Sequence, residues 1–325
     1  MWIEGIGLGC ARGTKQHDRL MDEVAGKATT VVVATDGSAA AMAAVDWAAT
    51  EAASRRAPLL VLTACAPVQV PASSLDESAA AMTSLLDSAR LRSKENAEIV
   101  STAADRARSR HPELVVTTEV FEGDPRRALE RSEHQASVVV LGSRGLGSVK
   151  SVILGSVSFW ATRHLTVPFV VVRPPDPERL SITHGIAVGI TSDASSELRL
   201  RQAFALAQRR GCPLTIANAA WDDEATANHW REMAADDVDP ARRRAVTELA
   251  EQIAREFPGA SYRVLFARGR VDGFLVSLSR THEALVLGRR TSTLLDFIGL
   301  GTLASAVVEH GAGAIVVIPI EGAHS

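Results

Sequence analysis

Short apolar runs alternate along the chain with longer stretches of helical spacing. Thr30–Thr35 reads Thr-Val-Val-Val-Ala-Thr, a β-branched run that fits a strand buried on both faces of a parallel sheet. Ala39–Arg56 is alanine-rich, with Trp47 on an apolar stripe, and predicts a helix. Pro58–Cys65, Leu114–Val120, Ser137–Leu141 and Pro168–Val172 predict four more strands. Asp76–Arg110 contains no Gly or Pro and predicts a mostly helical connection. Gly123-Asp124-Pro125 breaks the chain and opens a helix with Pro125 in its first turn. Gly155–His164 predicts the last helix of this set. Strict alternation of strand and helix favours a doubly wound parallel sheet. Such sheets bind ligands beyond the carboxyl ends of their strands, where the strand order reverses. Asp36 and Gly142 both lie just past strand ends, so one crevice can hold both.

After a stiff Pro174-Pro175-Asp176-Pro177 stretch the pattern starts again. Strands are predicted at Gly185–Ile190, Pro213–Ala217, Ser261–Phe266, Ala284–Leu287 and Ala314–Ile318, with helices between them. The two sets keep register. Gly123 pairs with Gly269, Gly142 with Gly288, Arg144 with Arg290, Gly155 with Gly301 and His164 with His310, each at an offset of 146. Near the start the offset is 155, as in Pro58 with Pro213, because the first copy is longer between its second and third strands. The expected organisation is an N-terminal extension (1–28), a first domain (29–173), a linker (174–183) and a second copy of the same domain (184–320). Gly5-Ile6-Gly7-Leu8-Gly9 lacks the preceding strand that a dinucleotide loop requires. Met21 is a candidate alternative start.

Composition narrows the classes. The chain has 325 residues, 46% hydrophobic and 22% charged, which suits two globular cores. A formal net charge of -3 argues against a nucleic-acid binder that relies on a general basic field. Arg242-Arg243-Arg244 fits a solvated helix face. Three scattered cysteines, Cys10, Cys65 and Cys212, suit a reducing compartment. No apolar run approaches the roughly 20 residues of a membrane span. A soluble cytoplasmic protein with no membrane association is expected.

The chemistry concentrates in Gly142–Ser158. Its skeleton is Gly, two residues, Gly, nine residues, Gly-Ser, set between a buried strand and a helix. Glycines at Gly142 and Gly145 admit positive φ and close approach of a ligand. Gly155 and Ser156 open a helix whose free N–H groups and positive dipole end would meet an anion. The Ser156 and Ser158 hydroxyls are further candidate donors, although Ser156 could also be a plain N-cap. Asp36 could accept from an amine or a hydroxyl, or could cap the following helix. A Gly-x-x-x-x-Gly-Lys-Ser/Thr loop is absent, and so are the usual parts for activated phosphoryl transfer.

Val33-Ala34-Thr35-Asp36-Gly37-Ser38, Glu122-Gly123-Asp124-Pro125 and Gly142–Ser158 together resemble the universal stress protein family, in its tandem two-domain form and its ATP-binding branch. The resemblance implies two α/β domains, each a doubly wound five-stranded parallel sheet in the order 3-2-1-4-5, of the adenine nucleotide alpha hydrolase-like kind. It implies bound ATP, with magnesium as a candidate companion. Asp36 would meet the adenosine part and Ala64 would flank the adenine. Gly142, Arg144, Gly145, Gly155, Ser156, Val157 and Ser158 would surround the ribose and phosphates. In the second copy Thr291 replaces Gly145 and Thr191 replaces Asp36, although the nearby Asp193 could partly substitute for the carboxylate; one competent site per chain is expected. The family commonly dimerises through its last strand. Phe169–Val172 and Ile315–Ile318 are therefore expected to pair within the chain, and a homodimer and a regulatory protein partner are further candidates. His164 and His310 fit helix C-terminal packing roles, and the acidic Asp222–Glu224 and Asp236–Asp239 segments fit solvated loops or a lid. Three functions compete: a nucleotide-dependent regulator in stress response, a slow ATP hydrolase, and a scaffold with a vestigial site.

Overall fold

The computed structural model describes residues 29–65, 79–144, 154–174, 185–191, 195–221, 230–291 and 303–321. The N-terminal extension, most of the linker, Gly145, Asp193, the Asp222–Glu224 segment and the Gly301-Thr302 pair lie outside them. In the first half, strands β1 (Thr30–Ala34), β2 (Leu59–Cys65), β3 (Val116–Glu122), β4 (Ala136–Gly142) and β5 (Phe169–Val172) alternate with helices α1 (Ala39–Arg55), α2 (Ala79–Arg110), α3 (Pro125–Ser132) and α4 (Ser156–His164). In the second half, β6 (Ile186–Gly189), β7 (Leu214–Ala220), β8 (Trp230–Glu232), β9 (Tyr262–Gly269), β10 (Ala284–Thr291) and β11 (Ala314–Glu321) accompany α5 (Ser195–Arg210), α6 (Pro240–Ala254), α7 (Val271–Thr281) and α8 (Leu303–His310).

All the strands form one sheet, ordered β3-β2-β1-β4-β5-β11-β10-β6-β7-β9-β8. The first half has the expected 3-2-1-4-5 order, all parallel. The second half repeats that order and adds β8, antiparallel to β9. This extra strand departs from the expected five. The chain after β7 turns back along the edge, and Trp230 anchors it against Phe274 of α7, with ring centroids 4.9 Å apart. The halves meet where β5 runs antiparallel to β11, with Val172 opposite Ala314 and Phe169 opposite Val317.

Strand alternation builds two cores. Val31 and Val33 face α1 and α2, whereas Val32 faces α3 and α4. The first core continues under α5 and α6, and the second under α7 and α8. Small residues bring α1 close to the sheet: Ala44, Ala48, Ala49 and Ala52 are all fully buried. At the end of β4 this approach is at its tightest. A Cβ on Gly142 would lie 2.7 Å from both the carbonyl carbon of Ala40 and the nitrogen of Ala41. The glycine is thus imposed by packing against the first turn of α1.

A charged cluster ties α1 to α5 across the seam. The side chain of Glu51 is fully buried. It accepts from Arg55 Nε at 2.6 Å, Arg209 Nη2 at 2.7 Å and Arg210 Nη2 at 3.5 Å. The Arg210 guanidinium also sits 5.1 Å from the centre of the Trp47 ring. Burial is the largest single influence on the Glu51 carboxyl and acts to raise its pKa. The charges of Arg55, Arg209 and Arg210 together outweigh it and hold the pKa below the ordinary value of 4.5.

Two stability tests follow from this packing. Glu51→Gln leaves buried guanidinium groups without their carboxylate, and is expected to cost about 3–5 kcal/mol in urea unfolding at neutral pH. Because the folded pKa is depressed, the carboxylate's contribution is complete above about pH 4.5 and is lost as the pH falls through the folded value. The Gln variant should therefore show a flatter acid limb than the parent. Gly142→Ala pushes a methyl group into backbone that cannot swing away, and is expected to cost roughly 1–3 kcal/mol in the same measurement.

Candidate functional site

The strand order reverses between β1 and β4. From β1 the chain leaves to α1 on one face, and from β4 it reaches α4 on the other. The divergence opens a crevice above the carboxyl ends of these strands. A cavity of about 500 Å³ occupies it.

One wall is the turn after β1. Thr35 Oγ1 accepts from the Gly37 amide at 3.1 Å, and an Asp36 carboxylate oxygen accepts from the Ser38 amide at 3.1 Å. Gly37 supplies the positive φ of +80° that closes the turn. The N-cap of α1 is Ser38, not Asp36: its Oγ accepts from the Ala41 amide at 3.2 Å. The same hydroxyl donates to the Arg144 carbonyl at 3.2 Å, fastening the turn after β1 to the loop after β4. Asp36, only partly buried, faces the cavity from this fixed turn.

The opposite wall is the start of α4. Gly155 occupies the N-cap position, with φ -70° and ψ 153°, and no side chain caps the helix there. Its own amide donates to the Ser143 carbonyl at 2.8 Å, which anchors the helix start to the end of β4. Ser156, Val157 and Ser158 form the first turn and line the cavity. First-turn amides have no partner inside a helix, and they carry its positive dipole end. Arg144 lines the cavity beside them. Burial, and then the nearby charge of Arg144, lower the pKa of the Arg173 guanidinium.

A third wall is apolar. Leu62 and Ala64 come from β2, Leu141 from β4, and Pro125, Ala128 and Leu129 from α3. Asp124 caps α3 by accepting from the Arg126 amide at 2.8 Å, which sets Pro125 at the rim. The cavity therefore combines a flat apolar slot, one carboxylate and a cationic end with open amides. That combination suits a ligand with an aromatic base, hydroxyls and an anionic tail.

The structure brings all the sequence-expected site residues within the described segments to this one cavity; Gly145 lies outside those segments. It changes what several of them do. Neither Gly142 nor Gly155 takes a positive φ. The absence of a side chain at Gly142 serves the contact with α1, not a strained turn. The Ser158 hydroxyl is buried and donates to the Gly142 carbonyl at 2.7 Å, so its hydrogen is already engaged. Ser156 is the first helical residue, not the cap. His164 stacks on Trp160 and meets the Trp160 carbonyl through Nδ1 at 2.9 Å, at the far end of α4 from the cavity. Sequence reasoning missed Thr35 and Thr63 at the strand ends and the α3 wall. The Glu122–Pro125 motif marked the start of that wall, but the inward face of α3 only emerges from packing.

The second half fills the corresponding space with its own side chains. Phe274 stands at the Ala128 position, at an offset of 146, and is almost fully buried against Trp230. Arg199 stands at the Ala44 position, at an offset of 155. It donates to the Gly189 carbonyl at 3.2 Å, Thr191 Oγ1 at 3.0 Å and Ser196 Oγ at 2.7 Å. Its stem lies against Gly288, where a Cβ would be 2.7 Å from Arg199 Cδ. Arg242 reaches Asn218 Oδ1 at 2.6 Å, and Asn218 Nδ2 donates to the Ile190 carbonyl at 3.0 Å. Asn218 is the counterpart of Thr63. Among the described residues no group of three or more His, Cys, Asp or Glu side chains gathers as a metal site, and no helix is long and apolar enough to cross a membrane.

The family model for the universal stress protein family matches residues 27–173. The whole chain is similar to universal stress protein Rv2005c of Mycobacterium tuberculosis, with 30% identity over 307 residues covering 89% of this chain and 96% of that protein. It is also similar to universal stress protein Rv1996 of the same organism, at 27% identity over 89% of this chain and 95% of that protein. Among solved structures, a universal stress protein from Archaeoglobus fulgidus superposes with a TM-score of 0.60 over 90% of this chain and 98% of that one, at 17% identity, a likeness of fold. With the 3-2-1-4-5 sheet present in both halves and relatives of matching length, this chain belongs to the universal stress protein family.

Proposed function

We propose that the chain binds ATP in the first-half crevice and acts in the cytoplasm as a nucleotide-dependent regulator of a stress response. The observation that carries this reading is the cavity itself. Its volume of about 500 Å³ falls within the ~300–1,000 Å³ of small-molecule sites. Its walls sort into the three chemistries of a nucleotide. The apolar slot between β2 and α3 would take the adenine. Asp36 would accept from a ribose hydroxyl or the base amine. The uncapped first turn of α4, with Arg144 beside it, would hold the phosphates. The second half, with Phe274 and Arg199 in the equivalent space, serves as the structural partner, so one nucleotide per chain is expected.

Titration calorimetry of the full chain with ATP and magnesium tests this directly. The expected stoichiometry is one per chain; no binding of any adenine nucleotide, or binding of two, would overturn the reading. Two substitutions probe its parts. Ser156→Pro deletes one first-turn amide at a position where proline is tolerated, after a residue already in extended conformation. It should leave the fold intact and weaken ATP binding by about tenfold, the loss of one charge-assisted hydrogen bond. Ala128→Phe copies the second half's side chain into the first and should abolish binding while circular dichroism stays unchanged.

A further inference from the structure

The far end of α4 is held by the other half of the molecule. Arg289, at the end of β10, is buried. Its Nη1 donates to the Thr162 carbonyl at 3.2 Å and its Nη2 to the Leu165 carbonyl. Thr162 belongs to the last turn of α4, whose carbonyls have no partner within the helix, and Leu165 is the residue that ends it. The guanidinium therefore reaches across the β5–β11 seam and grips the C-terminal turn of the helix whose N-terminal turn lines the cavity. A second contact runs the other way, from a different strand position. Arg173, at the end of β5, donates through Nη2 to the Val308 and Glu309 carbonyls near the end of α8. Each half thus clamps the other half's last helix, and the start of α4 lines the cavity described above.

We propose that Arg289 is a positioning residue for the first-half nucleotide site, so that the second half completes that site without touching the ligand. The inference rests on the adenine nucleotide reading above. Two physical effects lead to it. The fork of the guanidinium fixes the helix along its axis, and α4 has nine residues, so its ends are only about 14 Å apart. A displacement at the clamp is carried to the first-turn amides with little slack. In addition, a cation at the C-terminus complements the negative end of the dipole and adds positive charge along the axis that points at the anion. Both effects act on the phosphate end of the ligand. The slot between β2 and α3 contains no part of α4, so recognition of the base is independent of the clamp.

That asymmetry separates positioning from plain structural support. Calorimetry on the full chain would compare ATP and adenosine for the parent, Arg289→Met and Arg289→Lys. Arg289→Met should lower ATP affinity about tenfold while adenosine affinity stays within about twofold, because a cation at a helix C-terminus acts through the dipole. Arg289→Lys restores the charge without the fork and should recover part of the ATP affinity. If ATP and adenosine weaken together, or if ATP affinity is unchanged, Arg289 is not a positioning residue. If Arg289→Met does not fold, Arg289→Lys decides: a selective loss for ATP of about threefold or more supports the role, and equal behaviour of the two ligands overturns it. A parent chain that binds neither ligand overturns the nucleotide reading itself, which is a different outcome from a parent that binds ATP and a variant that binds it equally well.

Discussion

Four residues of β5, laid antiparallel against β11, determine what the two halves can do to each other. Phe169, Val170, Val171 and Val172 are all buried, and as a free sheet edge they would be an apolar template for another chain. Their pairing makes one sheet of two and removes that edge. It also decides which helices become neighbours. Each half's last helix directly precedes its last strand, so α4 and α8 arrive side by side. On the opposite face α1 and α5 meet, and Glu51 collects arginines from both halves. That carboxylate is tolerated in the interior only because the surrounding cations satisfy it.

The same fold appears twice, with opposite outcomes at the strand ends. In the first half small side chains leave space where the sheet's topology opens a crevice. Ala44 of α1 is small and fully buried against the sheet, Ala128 faces the slot, and Gly142 lets α1 settle onto β4. In the second half Arg199 and Phe274 take the equivalent positions, and Gly288 adjoins the Arg199 stem instead of a helix backbone. Filling the space uses buried hydrogen bonds to strand-end carbonyls and hydroxyls, so the plug is a packed element with satisfied polar groups. The two copies thus use the strand-end space differently: the first leaves a cavity beside Asp36 and the start of α4, and the second places buried side chains there.

The strands, the helices and the repeat are written in the sequence, because hydrophobic period and punctuating glycines and prolines are local properties. The constellation of Asp36, Gly142, Arg144 and the Gly155–Ser158 turn was legible too. Each member directly follows or precedes a predicted strand or helix, and topology does the rest. Individual roles were less legible. Gly142 reads from sequence as a flexible turn, yet it is required by a backbone 2.7 Å away that belongs to residues about a hundred positions earlier. Ser158 reads as a donor to ligand, yet its hydrogen goes to a carbonyl brought near by folding. The added strand β8 carries little periodic signal in three residues and depends on Trp230 finding Phe274. Sequence alone thus determined the architecture, the duplication and the neighbourhood of the site. Tertiary structure alone decided which side chains occupy the strand-end space of each half and which arginine reaches across the seam, because both depend on side chains from distant segments competing for the same volume.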